Sequence, residues 1–166
     1  MTEQLGLRIG ACSDPGQQRE GNEDSYLVLT APARAVGVDA VLAVADGLGG
    51  HQAGHVASPA LVAALSTLFR SGDYQQIVAY SPQHPDYYVV VLKEALERIN
   101  EQLCDMTIGH PELSGMGTTG TVAILSGVQL FWGHVGDTRA YLLHDGILQQ
   151  LTQDHTWVAL QVESGA

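Results

Sequence analysis

Between residues 118 and 152 the chain offers four strand-type runs with no helical segment among them: TTGTVAILS, QLFWGHVG, RAYLLH and ILQQLT. Gly127 lies between the first two, and Asp145-Gly146 between the last two. An Asp-Gly pair with apolar alternation on both sides is a strong hairpin signal. This part of the chain therefore folds as an antiparallel meander. Upstream, LGLRIGACSD at residues 5–14 reads as a strand running into an Asp14-Pro15-Gly16 turn, and NEDSYLVLT as a second strand. VLAVAD, residues 41–46, is a short continuous apolar run of the kind buried on both faces.

Two helices separate these strands from the meander. AGHVASPALVAALSTLF has apolar residues at helical spacing, with a kink or restart expected at Pro59. In YYVVVLKEALERINEQLCDM, Val91, Ala95, Ile99 and Leu103 share one face while Lys93, Glu97 and Glu101 lie off it. A last helix is expected after an N-cap-like Asp154. Strands, then two helices, then a meander argue for an α+β fold with largely antiparallel sheets, not the regular alternation of a doubly wound one.

Charge narrows the function. With 7 Lys+Arg against 18 Asp+Glu the formal net charge is -11, a field that repels nucleic acid and anionic lipid and attracts cations. No apolar run approaches the ~20 residues that span a bilayer, and MTEQLGLRIG lacks the build of a signal peptide. The two cysteines, Cys12 and Cys104, form no CxxC motif and suit a reducing compartment. A cytoplasmic protein with no nucleic-acid or membrane partner is expected.

VADGLGGHQAG, residues 44–54, looks at first like a phosphate cradle. A GxGxxG fingerprint begun at Gly47 and Gly49 meets Gln52 where its third glycine belongs. A P-loop from Gly49 to Gly54 meets His55 and Val56 in place of its lysine and hydroxyl. Two readings remain. Either Asp46 is a metal ligand held stiffly at a strand end, with glycine allowing a carbonyl to face the ion, or it caps the following segment. REGNED, residues 19–24, sets Arg19 near Glu23 and Asp24, a pattern that serves either an anion-plus-cation site or a solvated turn. Asp137 again follows an apolar strand and a glycine. His51 and His55, spaced i, i+4, invite a zinc reading, but HQAGH is not HExxH.

REGNEDSYLV, VLAVADGLGGHQAGHVAS, the GMGTTGTVAIL block and HVGDTRAYLLHDGILQQLTQDHTWV, in that order, resemble the metal-dependent serine/threonine protein phosphatases of the protein phosphatase 2C (PPM) family, bacterial type. The resemblance implies a four-layer α-β-β-α sandwich of two antiparallel sheets. It implies that Asp46 bridges two Mn²⁺ or Mg²⁺ ions, that the Gly47 carbonyl completes one coordination shell, and that Asp24 reaches the metals through water with Glu23 beside it. A water between the metals would attack phosphorus in line, and Arg19 would clamp the phosphoryl oxygens. Asp137 matches an aspartate that helps hold a third, weaker ion in some members. Leu48 stands where many eukaryotic relatives carry a histidine. Thr118 and Thr119 would lie in a buried strand, and Arg139 and Asp154 would be ion-pairing or capping groups. The expected partner is a phosphorylated protein, the product of a serine/threonine kinase.

Family catalytic domains continue for several dozen residues beyond the matching blocks, through an SDG-type and a DN-type aspartate, both direct ligands. Neither motif occurs in this sequence. The expectation is thus one domain over residues 1–166, the N-terminal portion of a phosphatase domain and C-terminally incomplete. Its incomplete sheet edge would be open to pairing with another chain. The alternative function is a truncated or pseudophosphatase module that binds a phosphoprotein or partner without catalysis.

Overall fold

A computed structural model describes residues 6–17, 21–32, 37–49, 54–77, 83–156 and 159. Strands β1 (Asp24–Thr30) and β2 (Ala40–Leu48) are followed by helix α1 (Gly54–Ser71) and helix α2 (Tyr87–Met106). Strands β3 (Gly117–Thr118), β4 (Gly120–Ser126), β5 (Gln129–Val135), β6 (Tyr141–His144) and β7 (Ile147–Gln150) complete the order. The first sheet runs β1-β2-β4-β5, with β3 also on β2, and every pairing is antiparallel. β6 and β7 form a separate two-stranded sheet. At its tip Asp145 and Gly146 take φ of 50° and 78°, the doubly left-handed turn that the Asp-Gly pair predicts. This is the expected α+β architecture with two antiparallel sheets.

Both helices lie on one face of the larger sheet. Leu27, Leu29, Val41, Ala43, Ala45, Val122 and Ile124 alternate onto that face and meet Leu61, Leu65 and Phe69 of α1 and Val91, Leu92 and Ile99 of α2 in one core. Period two on the strands and the i, i+4 stripe on α2 thus describe the same buried layer from its two sides. The other face carries Tyr26, Val44 and Trp132, all more than two-fifths exposed. β2 is therefore not buried on both faces as its apolar run suggests, since residues with the parity of Val44 and Leu48 look outward. A continuous apolar run shows that a strand can be covered twice, not that it is.

Residues 6–15 form no strand. Ile9 to Cys12 instead line a groove with Tyr26, Val28, Leu42 and Val44, over the open face of β1 and β2. A segment lying on a sheet's face meets side chains rather than unpaired peptide groups, so no ladder forms. The turn after it is present, with the Gly16 N–H donating to Asp14 Oδ1 at 2.8 Å. α1 runs unbroken through Pro59. The proline falls within its first two turns, where the ring costs one backbone bond, and the helix does not restart there. The helix expected after Asp154 falls largely outside the described residues, and among those described Asp154 pairs with Arg139. The Arg139 guanidinium takes both of its oxygens, at 2.6–3.2 Å, and those bonds hold the carboxyl below the usual carboxylate range. Thr156 Oγ1 accepts the Ala159 N–H at 3.1 Å. Among the described residues, no helix is long and apolar enough to cross a membrane.

One buried group in the core is anomalous. The Tyr87 hydroxyl finds no hydrogen-bond partner among the described residues, and burial, reinforced by Tyr74 and Tyr88, pushes its phenol up to about 12. A buried hydroxyl without a partner costs its desolvation for no return. Tyr87→Phe is expected to be neutral or to stabilise the fold by up to about 1 kcal/mol. Because the folded-state value is raised, folding opposes ionisation of Tyr87, and the fold loses stability as pH rises from the ordinary tyrosine range toward 12. Urea midpoints at neutral and alkaline pH should therefore fall less steeply for the phenylalanine variant; an equal fall overturns the assignment.

Candidate metal centre

Asp24 opens β1 and Asp46 nears the end of β2, and the antiparallel register sets them directly opposite one another. Strand alternation puts both on the open face, with Tyr26 and Val44, away from the helices. Opposed residues on neighbouring strands have Cβ atoms only about 5 Å apart. Two carboxylates at that spacing repel unless positive charge lies between them.

The end of β2 is fixed from three sides. The Gly47 N–H donates to the Glu23 carbonyl at 3.1 Å, the Thr119 N–H to the Asp46 carbonyl at 2.9 Å, and the Asp46 N–H to Thr119 Oγ1 at 2.9 Å. Thr118 Oγ1 also donates to the Asp46 carbonyl, at 3.0 Å. Buried Ser58 donates its hydroxyl to the Glu23 carbonyl and lies 3.2 Å from Ser25 Oγ. Gly47 and Gly54 touch backbone to backbone. A Cβ on Gly47 would overlap the Gly54 carbonyl and come within 2.8 Å of the Glu23 carbonyl oxygen. A Cβ on Gly54 would lie 2.8 Å from Glu23 Oε1, so the Glu23 carboxylate is turned to the start of α1. Negative charge is favoured at that end of a helix.

The remaining residues singled out by sequence are less tightly gathered. Asp137 sits exposed in the turn after β5, between Gly136 and Thr138. Arg19 and His51 lie outside the described residues. His55 is exposed, its ring over the Gly21 α-carbon. Leu48 is exposed; Thr119 is buried as expected but lies between β3 and β4, and Thr118, at the end of β3, is only half-buried. Among the described residues, no three His, Cys, Asp or Glu side chains group to hold an ion by themselves. What the chain does bring together is two aspartates and a strand-end glycine carbonyl, an all-oxygen donor set that suits a hard divalent cation. Sequence reasoning missed Ser58, Gly54 and Thr138. Nothing local marks them, because their roles depend on which strand each one meets.

The protein phosphatase 2C family model matches residues 11–161. The chain belongs to the protein phosphatase 2C family. The serine/threonine protein phosphatase PstP of Mycobacterium tuberculosis is 39% identical over 161 residues, covering 97% of this chain and 27% of that protein. The serine/threonine phosphatase stp of Listeria welshimeri is 32% identical over 153 residues, covering 92% of this chain and 56% of that protein. A crystal structure of the PstP catalytic domain in complex with two manganese ions superposes with a TM-score of 0.73 at 37% identity, covering 95% of this chain and 60% of that one. The chain thus spans between about a quarter and three-fifths of the length of these phosphatase 2C relatives.

Proposed function

We propose that the chain forms part of a metal-dependent phosphoprotein phosphatase that hydrolyses phosphoserine and phosphothreonine. The observation that carries this reading is the Asp24–Asp46 pair, opposed in register at one end of the sheet of a phosphatase 2C family member. Asp46, Asp24 and the Gly47 carbonyl hold Mn²⁺ or Mg²⁺, with Glu23 beside them and Asp137 serving a further, weaker ion. The manganese in the PstP neighbour supports Mn²⁺ as the first ion to test. Once bound, such ions activate water and neutralise phosphoryl charge. Arg19 clamps the phosphoryl oxygens, for which a guanidinium fork is the right shape. The field of a -11 chain opposes anionic substrates in general, so the cationic groups at the site decide where a phosphoryl group settles.

The substrate is a phosphoprotein made by a serine/threonine kinase, and the compartment the cytoplasm, where the exposed free thiols of Cys12 and Cys104 stay reduced. β1 and β5 are the edges of the larger sheet among the described residues, and pairing there with another chain belongs to the same proposal. A second reading, a phosphoprotein-binding module without turnover, is favoured by the lack of a third grouped ligand among the described residues.

Hydrolysis of p-nitrophenyl phosphate by the chain in Mn²⁺ buffer, before and after EDTA, separates the two. Phosphate release that needs Mn²⁺ and stops on chelation is expected of the phosphatase. Saturable binding of a phosphothreonine peptide without release selects the module instead. Neither release nor binding rejects both for this chain.

A further inference from the structure

The register that pairs Val44 with Thr121 and Gly47 with Thr118 sets Asp46 opposite Thr119. Such a pair in an antiparallel ladder either exchanges both backbone N–H···O=C bonds or exchanges none. Here half of the exchange is replaced. The Thr119 N–H reaches the Asp46 carbonyl, but the Asp46 N–H goes to the Thr119 hydroxyl. The Thr118 hydroxyl lies 2.9 Å from the Thr119 carbonyl and shares its one proton between that oxygen and the Asp46 carbonyl. One side chain has thus displaced a main-chain acceptor at the aspartate that the phosphatase reading makes the metal ligand.

The same hydroxyl has a second partner. Thr119 Oγ1 lies 2.6 Å from Thr138 Oγ1, and Thr119 is 1% exposed. Its methyl group rests against Gly136, whose φ of 105° is a glycine conformation and where a Cβ would lie 2.6 Å from Thr119 Cγ2. Gly136 and Thr138 are the two residues that flank Asp137. The turn is anchored from its other side as well, since the His155 N–H donates to the Gly136 carbonyl at 2.7 Å and Thr121 Oγ1 to the Thr138 carbonyl at 3.1 Å.

We propose that Thr119 is a positioning residue whose hydroxyl fixes Asp46 and, through the Thr138 hydroxyl, couples it to the turn that carries Asp137. Its consequence for metal binding rests on the phosphatase reading; the coupling itself does not. A hydroxyl that accepts from a backbone N–H and shares a proton with a second hydroxyl has its orientation set by both. Moving the turn therefore moves the acceptor of the Asp46 N–H, and the two aspartates keep one spacing.

The test uses Thr119→Val, Thr119→Ser and Thr138→Val, with amide exchange of the metal-free chain and Mn²⁺ titration by calorimetry. Exchange at Val91 and Leu92 in α2 reports global stability and is the reference. Thr138→Val should speed exchange at the Asp46 amide about tenfold relative to that reference, although among the described residues no hydrogen bond joins Thr138 to Asp46. Thr119→Val should do at least as much and weaken Mn²⁺ binding about tenfold, the usual cost of losing a group that orients a ligand. Thr119→Ser keeps the hydroxyl and should stay within about twofold of the parent in both readouts. Should Thr119→Val fail to fold, the other two variants decide. Parent-like exchange at Asp46 in Thr138→Val overturns the coupling, and parent-like behaviour of Thr119→Val in both readouts overturns the positioning role. A parent chain that binds no Mn²⁺ counts against the phosphatase reading alone, because the exchange measurement still decides the coupling.

Discussion

Gly47→Ala is expected to destabilise the chain by about 3 kcal/mol or more, at the upper end of overpacking costs. The reason is what the new methyl meets. At Gly47 it overlaps the Gly54 carbonyl and crowds the Glu23 carbonyl, both main-chain atoms tied into α1 and the β1–β2 ladder. Neither can swing aside as a side chain can. Gly120 is the control, because a Cβ there would lie 3.1 Å from Leu61 Cδ1, the end of a flexible side chain. Gly120→Ala should cost about 1 kcal/mol, since only that side chain must adjust. Urea unfolding of the two variants beside the parent checks the ranking, and a Gly47→Ala midpoint within error of Gly120→Ala contradicts the close approach of β2 and α1.

Asp46→Asn is expected to weaken Mn²⁺ binding at least about a hundredfold. Losing a partner that merely orients a ligand costs 10–100-fold in affinity, so removing the charged group proposed as the ligand should reach that upper end. Asparagine keeps the shape of the side chain, and the main-chain bonds to Thr119 do not depend on the carboxylate. Asp24→Asn should cost less. Asp24 is exposed at the first position of an edge strand, whereas Asp46 is half-buried with strands on both sides. Calorimetric titration of the metal-free variants gives the affinities directly. Parent-like affinity in Asp46→Asn removes Asp46 from the ligand set, whatever the fate of the fold.

These expectations also show what the residue string carried and what it did not. α2 was legible to its ends, because a 3.6-residue apolar stripe is a local property. The hairpin at Asp145-Gly146 was legible because its backbone demands left-handed residues. Asp24, Asp46 and Gly47 stood out by type and by family pattern, and the register then set the two carboxylates opposite each other. Which face of β2 is covered was not legible, since an apolar run is the same string whether one layer or two rests on it. The stretch expected as a strand over residues 5–14 misled for a related reason: its loose alternation allows a strand, but a strand needs an edge to pair with, and the described residues 6–14 have none. Thr118 and Thr119 were visible as residues, yet the displaced ladder bond depends on the residue facing Thr119 across the sheet. Asp154 suits an N-cap by type and was claimed by Arg139, fifteen positions away.

β2 lies inside the sheet, flanked by β1 on one side and by β3 and β4 on the other. The conformational entropy of holding Asp46 is therefore surrendered when the sheet forms, not when a ligand arrives. Asp24, exposed at the start of an edge strand, still has side-chain freedom to lose. Two identical carboxylates facing each other thus differ as mechanical parts. One is a fixed reference, and the other can follow a cation as its radius or its shell of waters changes.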